Sequence, residues 1–117
     1  MTATKKEKGA EDLKGRAVAL AGLVAYQDGA IVSREIVSLP TGTMTVFAFD
    51  AGEQLSEHTA PFDATVIDIE GEAEIRIGGE GHRVQAGEMI IMPARLPHAL
   101  KAVSRFKMLL VMIKKPA

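Results

Sequence analysis

The amino-acid sequence predicts an all-β fold of antiparallel strands. From residue 28 onward, turn signals containing glycine or proline recur at intervals of about eight to twelve residues. Several stretches between them alternate apolar and polar residues, which is the period of a half-buried strand. No segment shows a sustained helical period, and no strand–helix alternation indicates a parallel sheet. This many short strands fits either a sandwich or a jelly-roll barrel, and periodicity alone does not choose between them.

The chain of 117 residues has the length of one domain. Residues 1–15 are polar, rich in lysine and without periodicity, so we predict a polar N-terminal tail. Residues 16–117 are predicted to form a single β-barrel domain. The full chain has a hydrophobic content of 47% and a charged content of 25%, which are those of an ordinary globular protein.

Two stretches give the clearest strand patterns. Residues 72–77 alternate acidic or basic with apolar side chains and lead through Gly78-Gly79 into residues 82–84, which predicts a hairpin. Residues 106–113 are apolar on both faces, apart from Lys107. Such a strand is expected to be buried on both sides, either by packing outside the barrel or by a second subunit.

The composition excludes several classes of protein. The formal net charge of −1 offers no field that would attract nucleic acid. The absence of cysteine removes disulfides and thiolate sites, and it agrees with a cytoplasmic location. The longest apolar run, residues 17–26, has about half the roughly twenty residues that a membrane helix needs. We therefore expect neither a nucleic-acid partner nor a membrane partner.

Three histidines are available as metal ligands or bases: His58, His82 and His98. His82 follows a glycine-rich turn and is expected to be exposed. The other two follow turn glycines, since Gly52 precedes His58 by six residues and Gly87 precedes His98 by eleven.

These spacings resemble the two motifs of the cupins, which are small barrels of the jelly-roll type. The first motif is glycine, five residues, His-x-His, three or four residues, glutamate, six residues and glycine. The second is glycine, five residues, Pro-x-Gly, two residues, histidine, three residues and asparagine. The matching positions of the two motifs are Gly52, His58, Ala60, Ala64 and Gly71, and Gly87, Pro93, Arg95, His98 and Ala102. The resemblance covers about residues 43–113 and implies an antiparallel jelly-roll (cupin) barrel.

The resemblance also implies a metal site, although the ligand set is incomplete. In metal-binding cupins, three histidines and one glutamate hold a divalent ion such as zinc, nickel, manganese or iron. His58 and His98 match two of these ligands, whereas Ala60 and Ala64 replace the other histidine and the glutamate. Two neutral imidazoles supply no negative charge.

A carboxylate elsewhere is needed to complete such a site. Asp68 shares the phase of residue 64 but lies about 13 Å further along an extended strand. Glu57 is next to His58 and is expected to point outward. Asp63 follows a Pro61-Phe62 turn that interrupts the alternation, so it is the best candidate for a third ligand.

Three interpretations of His58 and His98 remain open at this stage. They hold one divalent transition metal, with Asp63 or water completing the shell. Alternatively, no metal is bound and the two rings hydrogen-bond to each other across the barrel. In the third interpretation, one of them is an acid or base in a metal-free pocket. No residue is assigned a catalytic role.

The two alanines leave space for a ligand inside the barrel. Strand phase predicts a pocket lined by Ser56, Ala60, Ala64, Phe106 and Met108. The methionines fill irregular apolar space, either as core or as an adaptable pocket wall; they are Met44, Met89, Met92, Met108 and Met112. The sequence thus predicts a binding protein for a small molecule. The alternative is a metal-dependent dioxygenase or isomerase acting on a small organic substrate, as the cupin resemblance implies.

The resemblance further implies a homodimer. Small cupins commonly pair through the outer face of one sheet and exchange an N-terminal strand between subunits. Residues 17–26 precede the barrel and are where such an exchange strand is expected.

Overall fold

A computed structural model describes residues 13–114 and, ahead of them, the backbone of residues 4–6. Within these residues the chain forms ten strands and one short 3-10 helix, Leu20–Leu23. The strands are β1 (Thr4–Lys6), β2 (Ile31–Leu39), β3 (Gly42–Phe49), β4 (Gln54–His58), β5 (Ala64–Glu70), β6 (Glu72–Ile77), β7 (Glu80–Gln85), β8 (Met89–Met92), β9 (His98–Ala102) and β10 (Phe106–Ile113). No helix among the described residues is long and apolar enough to cross a membrane.

The ten strands form two sheets. One has the order β1-β2-β3-β10-β5-β8, and the other has the order β4-β9-β6-β7. All pairings are antiparallel except the short parallel pair of β1 with β2. The chain passes repeatedly from one sheet to the other, and strands that are neighbours in a sheet are therefore often distant in sequence. The last strand, β10, for example, lies between β3 and β5. This arrangement confirms the predicted antiparallel jelly-roll barrel.

The main hydrophobic core fills the space between the sheets. The rings of Phe49 and Phe106 lie 5.5 Å apart in the larger sheet, and Ile75 contributes from the smaller one. All three side chains are fully buried. Burial of this apolar surface is the main favourable contribution to folding.

Both strand patterns singled out in the sequence are present. The hairpin consists of β6 and β7, joined by Gly78 and Gly79 with φ angles of 58° and 85°. Two consecutive positive φ angles match the tight hairpin turn that glycine favours. Strand β10 is apolar on both faces, since Met108 packs in the main core and Leu109 in a second cluster outside the sheet.

The residues before the barrel cover the outer face of the larger sheet. Val24 is buried there against Leu109, and Leu20 and Leu23 pack on the same cluster. The predicted strand in residues 17–26 is wrong, because this run forms a 3-10 helix flanked by irregular chain. Its apolar side chains cover the sheet surface and do not join the sheet edge. Exchange of this segment between subunits stays a prediction.

The segment predicted as a polar tail contains β1. Its backbone pairs with residues Ile31 to Ser33 of β2. The edge of β2 presents unpaired N–H and C=O groups, which a short extended segment can satisfy without apolar side chains. Residues 1–3, 7–12 and 115–117 lie outside the described part of the chain.

Candidate functional site

A β-bulge in β4 brings His58 to the interior end of the smaller sheet. Leu55 pairs with Leu100, and His58 pairs with His98, so β4 has one residue more than β9 between these two pairs. A bulge of this kind locally breaks the alternation of side chains. Leu55 and His58 therefore both lie against the barrel interior, although they are three residues apart.

The two histidine rings are in direct contact. Their Nε2 atoms lie 3.1 Å apart, and the rings meet edge to face with centroids 4.4 Å apart. His98 is buried, at 3% exposure, whereas His58 is open to solvent on one side. Burial, and then the neighbouring His58, lower the pKa of His98, although its contact with the Leu96 carbonyl acts in the opposite direction. Neutral His98 is thus favoured.

Backbone carbonyls fix the orientation of both rings. His58 Nδ1 lies 2.8 Å from the Ser56 carbonyl oxygen, and His98 Nδ1 lies 3.2 Å from the Leu96 carbonyl oxygen. A carbonyl oxygen only accepts hydrogen bonds, so each Nδ1 carries a hydrogen. When both rings are neutral, the two Nε2 lone pairs consequently face each other. A proton, a cation or a ligand that donates a hydrogen bond relieves this repulsion.

The histidine pair forms one wall of a cavity of about 300 Å³ between the two sheets. Thr59 is the only other polar side chain among its lining residues. The lining contains no Asp, Glu, Lys or Arg. The apolar lining residues are Leu55, Ala60, Pro61, Phe62, Ala64, Met92, Leu100, Met108, Leu110 and Met112. The cavity can therefore take an apolar molecule, with imidazole nitrogen as its main polar contact.

The family model described as "Cupin domain" matches residues 45–114, which is more than half of the 117 residues. The chain belongs to the cupin family. No curated protein sequence is significantly similar to this cupin. Several of the similar solved structures are described as cupins, and likeness of fold alone does not assign an activity.

Three of these structures show the extent of the likeness. A conserved protein of unknown function from Streptococcus pyogenes has 40% identity and a TM-score of 0.84, over 88% of this chain and 90% of its own. A cupin 2 conserved barrel domain protein from Leptotrichia buccalis has 41% identity and a TM-score of 0.78, over 80% of this chain and 46% of its own. A cupin superfamily protein from Desulfitobacterium hafniense has 24% identity and a TM-score of 0.83, over 87% of this chain and 94% of its own.

The donor set of this cupin does not fit the divalent ion that its motifs imply. The imidazole spacing itself is suitable, because neighbouring nitrogen ligands at about 2.0–2.1 Å from an ion lie about 3 Å from each other. However, Ala60 and Ala64 line the cavity where the motif has a histidine and a glutamate. Among residues 13–114, no three His, Asp or Glu side chains are grouped closely enough to hold a metal ion. The two imidazoles are neutral, so no negative charge in the lining would compensate the charge of a dication, and burying such an uncompensated charge is costly.

Asp63 does not join the histidine pair. Its Oδ1 accepts a hydrogen bond of 2.8 Å from the backbone N–H of Ala94. The side chain lines a hollow on the outside of the barrel and is absent from the histidine cavity. The expectation that Asp63 swings inward as a third ligand is therefore wrong in this structure, because Ala94 holds its carboxylate at the rim.

Three of the five predicted pocket residues line the cavity: Ala60, Ala64 and Met108. Ser56 does not, because the β4 bulge removes it from the face of His58 and leaves it exposed. Phe106 does not either, because it lies deeper in the barrel against Phe49.

Most of the apolar wall was not predicted from the sequence, including Leu55, Leu100 and Leu110. Their strand phase was readable, but their proximity depends on how the two sheets pair. His82 was expected to be exposed, and its side chain is 38% exposed, 3.6 Å from Glu80.

Asp68 is another buried polar group in the barrel, and it is not among the residues that line the cavity. It lies on the same face of β5 as Ala64 but near the other end of the strand, opposite Met108. Both carboxylate oxygens are buried without a hydrogen-bond partner among the described residues. Burial, and then the charges of Glu88, Glu70 and Glu72, raise the pKa of Asp68 to about 7.

Proposed function

We propose that this cupin binds a small, largely apolar organic molecule in the cavity between its sheets. The observation that carries the proposal is the lining, in which His58 and His98 interrupt an otherwise nearly apolar wall. The volume of about 300 Å³ is at the lower end of the range for ligand pockets. The ligand is consequently expected to be a compact molecule, such as a single substituted ring.

The polar groups of the cavity restrict the ligand further. The two Nε2 atoms accept hydrogen bonds, so they suit a ligand with one O–H or N–H donor. A sugar or sugar acid carries several hydroxyls that would be buried without partners, and each would cost about 1–3 kcal/mol. We therefore infer a ligand of the phenol type in preference to a carbohydrate.

A comparison of two probe compounds tests this proposal. Tag-free protein is titrated with para-cresol or with glucuronic acid, and the melting temperature is followed. Ligands that bind only the folded state raise it by mass action. We expect a concentration-dependent rise with para-cresol and none with glucuronic acid. The opposite order would contradict the apolar character of the ligand, and no shift with any small phenol would contradict the binding function.

Two leucine variants show whether binding occurs in this cavity. Ala60→Leu adds three carbon atoms to the cavity wall and should abolish the para-cresol effect. Ala99→Leu adds the same atoms to β9 at a position between the inward residues His98 and Leu100, outside the cavity lining. The control variant should keep the full shift. Equal loss in both variants would place the binding elsewhere.

The alternative function is a dioxygenase or isomerase that uses a divalent metal. The 3.1 Å spacing of the Nε2 atoms is the observation in its favour. The absence of carboxylates from the cavity lining counts against it. Stoichiometric zinc, nickel, manganese or iron in protein purified without a histidine tag would support this alternative over a metal-free binding protein.

A further inference from the structure

Three methionines line the same cavity as the two histidines. Met92 and Met108 are buried, and Met112 is partly buried. Methionine has a flexible side chain and a polarizable sulfur. The cavity therefore combines two imidazole nitrogens with three thioethers, and it has no carboxylate or thiolate.

The strand register places two of these methionines around the missing glutamate. Ala64 occupies the glutamate position of the first cupin motif. On one side it pairs with Met112 of β10, and on the other it pairs with Met92 of β8. The motif's hard oxygen donor is thus replaced by a methyl group that lies between two soft sulfur-bearing side chains.

This change of donors changes the ion that the site would prefer. Oxygen ligands suit hard divalent ions, whereas thioether sulfur selects soft ions such as Cu(I), and imidazole suits copper as well as zinc. The solvation cost of an ion in an apolar cavity rises with the square of its charge. A monovalent ion is therefore far less costly here than a dication, because no lining residue carries a compensating negative charge.

We propose that this cavity binds one Cu(I) ion through Nε2 of His58 and His98 and the sulfur of Met92 or Met112. Both Nε2 atoms offer lone pairs at the cavity wall, because each Nδ1 donates its hydrogen to a backbone carbonyl. The site is a binding site, and no redox step is assigned to it. The proposal goes beyond the binding of an organic molecule and does not depend on it.

A competition titration tests the Cu(I) site. Tag-free protein is added under anaerobic conditions, with excess ascorbate, to the coloured bis-bicinchoninate complex of Cu(I). We expect the protein to remove one equivalent of Cu(I) and to bleach the colour. His58→Ala should abolish this transfer, whereas His82→Ala should leave it unchanged. Absence of any transfer by the wild type would overturn the proposal.

Methionine variants separate a mixed site from a site of two imidazoles alone. Leucine conserves the volume of methionine and removes its sulfur. Loss of a residue that only hydrogen-bonds to a metal ligand weakens metal binding by about 10–100-fold. Loss of a direct sulfur ligand should weaken it at least as much, so the double variant Met92→Leu/Met112→Leu should lose at least about tenfold in Cu(I) affinity. Met89→Leu is the control, because Met89 is 59% exposed and outside the cavity lining. Unchanged affinity in the double variant would refute thioether ligation.

Two further measurements make the result specific. X-ray absorption of the copper-loaded wild type should show a sulfur neighbour that disappears in the double leucine variant. Zn(II), titrated against a zinc indicator, should bind more weakly than Cu(I), and equal or tighter Zn(II) binding would contradict the soft-ion assignment. The para-cresol shift is measured on metal-free protein, so failure of the organic ligand and failure of the copper site are distinguishable.

Discussion

Tyr26 donates its hydroxyl hydrogen to Glu70 at 2.7 Å, which joins the segment before the barrel to the end of β5. Burial and this carboxylate raise the pKa of Tyr26. The ring also lies 4.8 Å from Lys107 Nζ, and Lys107 in turn donates to the Ala21 carbonyl at 2.7 Å. The segment that covers the outer face of the larger sheet is therefore held by polar contacts as well as by the packing of Val24 and its apolar neighbours.

Removal of the Tyr26 hydroxyl tests this attachment. Tyr26→Phe keeps the ring and its cation contacts and loses only the hydrogen bond to Glu70. We expect it to lower the free energy of unfolding by about 1 kcal/mol. Urea denaturation measures the change, and Tyr26→Ala should cost more because the ring is lost as well. A Tyr26→Phe variant as stable as wild type would show that the bond contributes nothing.

Two motif glycines should respond differently to alanine. Gly52 and Gly71 have φ angles of 84° and 82°, so alanine is strained at both by about 1–2 kcal/mol. A Cβ at Gly71 would also collide with the backbone carbonyl oxygen of Arg105, whereas a Cβ at Gly52 meets nothing within 4 Å. Gly71→Ala should therefore be less stable than Gly52→Ala by at least about 2 kcal/mol in urea denaturation. Equal losses would contradict the close approach at Gly71.

Arg95 stands at the position where the second cupin motif has glycine, and its φ of 68° is left-handed. Its backbone N–H donates to the Ala60 carbonyl at 2.8 Å, which holds this conformation at the cavity rim. Arg95→Gly removes strain of about 1–2 kcal/mol and adds roughly 0.5–1 kcal/mol of unfolded-state entropy. We expect a net gain of about 0.5–1 kcal/mol, measured as a higher melting temperature. Leu96→Gly, at the next residue, should instead lower it.

The pH dependence of stability should reveal Asp68. Its pKa is about 7 in the folded chain, above the ordinary value of 3.8 that applies to the unfolded chain. The folded protein thus binds a proton that the unfolded protein releases between these values. The corresponding stabilisation is complete below pH 3.8 and is lost as the pH rises through about 7.

Asp68→Asn removes this titration. The melting temperature of the wild type relative to the variant should therefore fall between pH 5 and pH 8. Glu57→Gln, at an exposed carboxylate, serves as the control and should follow the wild type. A constant difference between wild type and Asp68→Asn across this range would contradict a raised pKa.

The homodimer remains a prediction, and the structure suggests where to test it. Ile91 and Ile113 are exposed beside a hollow of about 820 Å³ on the outside of the larger sheet. Light scattering should give twice the monomer mass of 12.5 kDa. The double variant Ile91→Glu/Ile113→Glu should be monomeric, and Val103→Glu, which lies outside that hollow, should remain a dimer. A monomeric wild type at micromolar concentration would contradict the prediction.

The features that depend on local sequence patterns were predictable from the sequence. The hairpin of β6 and β7 follows from alternation and the Gly78-Gly79 turn, and the jelly roll follows from the spacing of motif residues around His58 and His98. The remaining features depend on partners distant in the chain. The backbone N–H of Ala94 donates a hydrogen bond to Asp63, which is 31 residues away in the chain. The bulge that moves Ser56 off the inner face is defined by the pairing of β4 with β9. Neither feature leaves a pattern in the local sequence.

The bulge in β4 also gives the strand an unusual tolerance of chain length. A deletion in a strand normally reverses the facing of every residue beyond it. Here β4 already has one residue more than β9 between the pairs Leu55–Leu100 and His58–His98. Deletion of Ser56 or Glu57 would therefore produce regular pairing and leave both histidines inside the barrel. The strand register of the cavity wall would therefore survive the loss of one residue at this point. An insertion would enlarge the bulge and would not be tolerated in the same way.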